Sequence, residues 1–206
     1  MRDSKTVAIN VLLLPDQRMS ARAQEINAQL RQGYPQGFAL DASHVPHISI
    51  LHRYVKTDDL PKIFAAVGQA GAKHPIGGQT LTANGLENSP WQGHQITSIK
   101  VEKTPDLATL QSDLVTALGP YSVESGDADA FMTTGGEPHV GDETVEYVRT
   151  FVPKRTGDGF KPHITLGITD TPPPADQLKQ TQFTVAALAV YQLGNVGTAR
   201  KELWRR

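Results

Sequence analysis

A five-residue pattern that occurs twice constrains this chain more than any other feature of it. Pro46-His47-Ile48-Ser49-Ile50 returns as Pro162-His163-Ile164-Thr165-Leu166: proline, histidine, apolar, hydroxyl, apolar. In an extended strand successive side chains point to opposite faces. His47 and Ser49 therefore share one face, and Ile48 and Ile50 the other. His163 and Thr165 are set against Ile164 and Leu166 in the same way. Each copy offers an imidazole beside a hydroxyl, backed by an apolar face that can enter a core.

The stretches around the two copies alternate between strand and helix patterns. Thr6 to Pro15 reads as a buried strand, and Met19, Ala23, Ile26 and Leu30 follow helical spacing up to Gly33. Phe38 to Leu40 suggests a short strand before the first histidine strand, Pro46 to Val55. Leu60, Ile63, Phe64 and Val67 form the stripe of a second helix. Thr80 to Leu86 and Gln95 to Val101 read as two strands joined around Asn88-Ser89-Pro90. Thr104-Pro105 opens a third helix, with Leu107, Leu110, Leu114 and Leu118 as its stripe. Residues 122–142 are rich in Gly, Asp, Glu and Thr and read as an exposed, mobile loop inserted between the motifs, placed to act as a lid. Val145, Val148 and Val152 suggest a helix. The second histidine strand, a helical stretch after Pro172 to Pro174, and strands at Thr184 to Leu193 and Thr198 to Trp204 complete the chain. The expectation is an α+β fold of two similar lobes, with antiparallel sheets facing a central cleft and helices outside. Residues 1–206 would form one such bilobal domain.

Composition excludes several functions. The formal net charge of −1 provides no global basic field for long nucleic acid. With no cysteine there are no disulfides, thiolate nucleophiles or cysteine metal sites. Arg2 and Lys5 ahead of the run Val7 to Leu14 resemble a signal peptide. Asn10 interrupts that run, however, and Asp16 and Arg18 put charge where a cleavage region is neutral, so a first core strand is expected. No segment approaches the ~18 apolar residues of a membrane span. The expectation is a cytoplasmic monomer with no membrane association and no stable protein partner.

Two histidines brought together across a cleft suit general acid–base catalysis, since an imidazole with a pKa near ~6.5 is available in both protonation states near neutrality. Hydroxyls beside them can donate to a phosphoryl oxygen held between the rings. The reaction this suits is metal-free opening of an activated phosphodiester: water is activated on one side and an alkoxide protonated on the other. A cyclic phosphate, whose ring strain helps the leaving group, is the natural candidate.

The two motifs resemble the paired His-x-Thr/Ser motifs of the two-histidine (2H) phosphoesterase superfamily. Phe160-Lys161-Pro162-His163-Ile164-Thr165-Leu166-Gly167 is especially similar to the second motif of its cyclic phosphodiesterase and bacterial RNA-ligase-like branches. The resemblance implies a bilobal fold with the motifs on facing central strands. It also implies metal-independent hydrolysis of cyclic phosphodiesters, typically nucleoside or RNA-end 2′,3′-cyclic phosphates, with no cofactor. His47 and His163 would be the catalytic pair, and Ser49 and Thr165 the phosphate ligands. Two other readings are a non-catalytic module that binds nucleotides or RNA ends, and RNA 2′-5′ ligation, in which the same site uses a 5′-hydroxyl in place of water.

Other residues are weighed against these. His44 with His47 and Asp41 suggests a metal hydrolase, but a His-x-x-His pair on extended chain does not put both rings on one face, and no metal site is expected. Tyr54, Phe160 and Tyr191 are candidates for stacking on a base or forming the rim of the cleft, as is His52. Packing is the competing role for each. His74, His94 and His139 fall in loop-like sequence. Gly135-Gly136 lacks the Lys-Ser/Thr of a phosphate loop and reads as a turn. Arg200, Lys201, Arg205 and Arg206 read as a solvated basic end.

Overall fold

The computed structural model describes residues 4–134 and 137–206; Gly135 and Gly136, expected to form a turn, lie outside the described residues. In chain order the main elements are β1 (Thr6–Pro15), α1 (Gln17–Gly33), β2 (Ile48–Lys56), α2 (Leu60–Lys73), β3 (Thr80–Trp91), β4 (His94–Val101) and α3 (Pro105–Leu118). There follow β5 (Ser122–Val123), α4 (Asp142–Arg149), α5 (Phe151–Arg155), β6 (His163–Thr169), β7 (Thr181–Leu193) and β8 (Ala199–Arg205). Among the described residues the strands form one eight-stranded sheet in which every pairing is antiparallel. The pairing runs β1-β2-β6-β4-β3-β7 and returns to β1, because the long strand β7 pairs with β3 through Thr181–Thr184 and with β1 further along. β5 and β8 add to β2 and β7.

One face of this sheet carries the main core. Val7, Ile9, Val11 and Leu13 of β1, Ile48 and Ile50 of β2, and Ile164 and Leu166 of β6 pack there with the stripes of α1, α2 and α3. α1 and α3 start at side-chain caps. Asp16 accepts from the Met19 amide at 2.8 Å, and Thr104 from the Leu107 amide at 3.2 Å with Pro105 in the first turn. β1 is apolar on both faces because its second face is also covered: Leu12 and Leu14 join Ala187, Ala189 and Tyr191 in a separate cluster.

Several local expectations are corrected. Phe38 to Leu40 forms no strand, and the segment after Pro172 makes only a short 3-10 turn at Ala175–Gln177. β3 runs on through Asn88-Ser89-Pro90, and its hairpin turns instead at Gln92-Gly93, both with positive φ (48° and 81°). The described part of 122–142 is anchored rather than free at Ala130 to Met132. Ala130 and Phe131 are buried with Ala8, Tyr54, Val148 and Leu193, and the Met132 amide donates to the Leu193 carbonyl at 2.7 Å.

The two motif strands carry matching irregularities. β2 shifts register against β1 between Val11 and Leu12, skipping Ile50; β6 shifts against β4 between Thr97 and Ser98, skipping Leu166. Ile50 and Leu166 each stand three residues after a motif histidine. A bulge leaves a carbonyl outside the ladder, and here a buried amide from a helix takes each one. Gln111 of α3 donates to the Ile50 carbonyl at 2.9 Å, and Asn27 of α1 to the Leu166 carbonyl at 2.7 Å. The support is crossed: α3, which follows the first motif strand, holds that strand, and α1, which precedes it, holds the second. Gln111→Leu should therefore destabilise the protein by about 1–3 kcal/mol, the cost of an orphaned buried acceptor. Urea unfolding checks this, and an unchanged midpoint would remove Gln111 from the account of the bulge.

Candidate active site

β2 and β6 are paired at Ile48 and Ile164. Both side chains are fully buried in the core, so their neighbours along each strand point to the opposite face. Continuing the antiparallel register sets His47 opposite Thr165 and Ser49 opposite His163. Directly opposed residues on one face have Cβ atoms about 5 Å apart and diagonal ones about 7–8 Å. The two imidazoles are thus diagonal neighbours, with a hydroxyl beside each, and all four groups are half-buried.

The two histidines are held in the same way. His47 Nδ1–H donates to the Val45 carbonyl and His163 Nδ1–H to the Lys161 carbonyl, each at 2.8 Å. Each acceptor lies two residues upstream, just before the motif proline. Because a carbonyl can only accept, Nδ1 carries the proton in both rings. The neutral form of each ring then keeps its lone pair on Nε2.

Electrostatics push the site toward neutral imidazoles. Burial lowers His47 to about 4, with His163 adding to the shift and the Val45 carbonyl opposing it. His163 is also lowered by burial and by Arg155, against the Lys161 carbonyl and Glu87. His52 is held well below its ordinary value by burial, then by His47 and His163. In the unfolded chain these groups titrate near ~6.5, so on acidification the unfolded state takes up protons first. Stability is expected to be full above about pH 6.5 and to fall as pH drops toward 4, by about 1.4 kcal/mol per unit of pKa shift for each group. Calorimetry across pH 4–8 checks this; a flat Tm over that window would contradict it.

The aromatic candidates are corrected. Tyr54 is 2 % exposed, Phe160 and Tyr191 4 %, so none offers a face to a base. The Tyr54 hydroxyl donates to the Val145 carbonyl at 2.9 Å, Phe160 lies in the main core, and the Tyr191 hydroxyl donates to Glu202 at 2.7 Å. His44 is buried with Nδ1 on the Ala39 carbonyl at 2.8 Å and Nε2 3.7 Å from Glu137. No group of three or more potential metal ligands gathers among the described residues.

The structure brings in Asn10, which the sequence did not place at the site, and gives His52, a stacking candidate, a different part there. Asn10 Nδ2 donates to Ser49 Oγ at 2.8 Å, and His52 Nε2 lies 3.1 Å from the same oxygen. His52 stacks on Phe151 with ring centres 4.4 Å apart. Its position follows from the bulge at Ile50, which restores Ser49 and His52 to a common face although they are an odd number of residues apart. On the other strand, Ser98 and Lys100 of β4 are register partners of Thr165 and His163. Lys100 is exposed and stands beside His163. One sequence signal pointed this way: Asn10 is a polar residue in the middle of a buried strand, and such a group needs a partner.

The fold has known counterparts. TT0787 of Thermus thermophilus superposes with a TM-score of 0.53 at 16 % identity, covering 97 % of this chain and 96 % of its own. E. coli LigT in apo form superposes at 0.52 with 15 % identity and 98 % of both chains covered. The complex of E. coli LigT with 3′-AMP gives 0.52 at 16 % identity, over 96 % of this chain and 95 % of that one. No curated protein sequence matches. Among the described residues no helix is long and apolar enough to cross a membrane. The family model of the 2′-5′ RNA ligase superfamily matches residues 15–197, a span that takes in both histidine motifs and the strands that bring them together, and the chain belongs to that superfamily.

Proposed function

We propose that this protein is a metal-independent phosphodiesterase that opens cyclic phosphodiesters, with nucleoside or RNA-end 2′,3′-cyclic phosphates as its substrates. The observation that carries the reading is the matched pair at the β2–β6 junction: two imidazoles with Nδ1–H tied back to the chain, each beside a hydroxyl, on one face. One neutral Nε2 takes a proton from the attacking water. The other ring, protonated, gives its proton to the ribose oxygen that leaves phosphorus. Ser49 and Thr165 donate to the phosphoryl oxygens, where charge builds up in the transition state. No step calls for a metal. The capture of E. coli LigT with 3′-AMP supports a nucleotide as the ligand class. The family description favours one second reading, ligation, in which an RNA 5′-hydroxyl takes the place of water in attacking the cyclic phosphate, forming the 2′-5′ bond while the 3′ oxygen leaves with a proton.

The test is a panel of nucleoside 2′,3′-cyclic phosphates incubated with the protein in excess EDTA, with the product isomer identified. Turnover that is insensitive to chelation is expected. Tight binding without turnover would leave a binding module in its place, and loss of activity on chelation would point to a metal hydrolase.

A further inference from the structure

The site has two hydroxyls in equivalent positions, but only one has a buried polar frame. We infer that Asn10 and His52 are positioning residues that lock the Ser49 hydroxyl as a hydrogen-bond donor into the cleft. Asn10 is fully buried and His52 is 2 % exposed. They are register partners on β1 and β2, so both approach Ser49 from the same side. His52 is fixed by its stack on Phe151 and by the edge of Tyr147, with ring centres 5.4 Å apart.

Proton accounting gives the direction of each bond. A serine hydroxyl has one proton and two acceptor sites. Asn10 Oδ1 and His52 Nδ1 are both buried without a partner. Reversing the Asn10 amide would strand its N–H groups where the oxygen now sits. Placing the His52 proton on Nδ1 would strand that N–H in the same way. A buried orphan acceptor is tolerated better than a buried orphan N–H. Asn10 Nδ2–H and His52 Nε2–H therefore both donate to Ser49 Oγ and fill its acceptor sites. The hydroxyl proton has no use left on that side and points into the face shared with His47 and His163.

The second half of the molecule lacks this frame. The pair on β4 and β6 equivalent to Asn10 and His52 is Ile96 and Ile168, which are also register partners. Among the described residues the Thr165 hydroxyl has no side-chain partner, so it is free to rotate. The cleft thus combines one fixed donor with one adaptable hydroxyl. The fixed donor selects a ligand atom that can only accept, such as an anionic phosphoryl oxygen, and disfavours an alcohol placed there to donate. This inference rests on the phosphoryl reading of the cleft.

Its first test needs no substrate. Long-range 1H–15N correlation spectra of the free wild-type protein should show His52 as the neutral Nε2–H tautomer. A proton on Nδ1 would overturn the inference. The second test is a mutant cycle. His52→Phe keeps the stack on Phe151 and removes the donor, and should lower kcat/KM on the order of tenfold, the worth of one hydrogen bond. The same change made in a Ser49→Ala background should have no further effect, because it acts through that hydroxyl. An equal loss in both backgrounds would show a merely structural role and overturn the inference. A wild type that turns over no cyclic phosphate would count against the proposed reaction, while the tautomer spectrum would still decide the hydrogen bonds.

Discussion

Replacing either His47 or His163 by alanine is expected to lower kcat/KM for a 2′,3′-cyclic phosphate by ~10²–10⁴-fold, the usual contribution of a positioned acid or base. The effect should be catalytic rather than structural. Both rings stand on the open face, and neither belongs to the core that Ile48 and Ile164 complete on the other side. The double variant should lose little more than the worse single one, because the two groups serve one proton-transfer sequence. The pH dependence of kcat/KM should be bell-shaped, with its optimum below pH 6.5. One ring must be neutral and the other charged, and in the free protein burial holds both below their ordinary value. An anionic phosphate between the rings favours the charged form, so the alkaline limb of kcat should lie above that of kcat/KM. Single variants that retain near-full activity would remove the pair from the mechanism.

Phe131→Ala is the second large expectation, and its effect is on stability. Phe131 is 5 % exposed and meets Tyr54 edge-on, with ring centres 5.9 Å apart. Its neighbourhood is closely built. Gly126 lies so close to the Tyr54 ring that a Cβ there would fall 2.5 Å from Cδ1, and Gln192 donates to the Ala130 carbonyl at 3.2 Å. Truncating a buried phenylalanine costs about 3–5 kcal/mol. In a chain of this size that lowers Tm by roughly 10 °C. Thermal unfolding followed by circular dichroism checks it. A shift of only a degree or two would mean that residues 122–142 float over the molecule as the composition suggested.

That segment shows where sequence patterning fails. Its polar, glycine-rich composition hides two apolar residues, Ala130 and Phe131, that close a small core over the second face of β1 and β2. Neither has a period to reveal it, because the chain there is irregular. The motif strands were legible for the opposite reason. Ile48, Ile50, Ile164 and Leu166 alternate with the four site residues, and burial in the structure follows that alternation. Alternation also has a limit, which His52 marks. A strict period of two puts it on the face away from Ser49, and the bulge at Ile50 brings it back. The crossed amides Gln111 and Asn27 were silent as well, since a polar residue on an apolar helix face shows its role only when the strand it serves is known. Tyr54, Phe160 and Tyr191 looked like stacking platforms by residue type. Burial of all three, and the hydroxyl partners of the two tyrosines, depend on long-range pairing and make them packing residues instead.

The central claim is that His47 and His163 share one phosphate. It is tested most directly by titrating 15N-histidine-labelled protein with a nucleoside 2′-monophosphate while following both Nε2 resonances. The account predicts that the two shift together along one saturation curve, with net proton uptake near neutral pH, because the phosphate raises the pKa of imidazoles that burial had lowered. If either resonance stays unmoved at saturation, the two histidines do not flank the same phosphate.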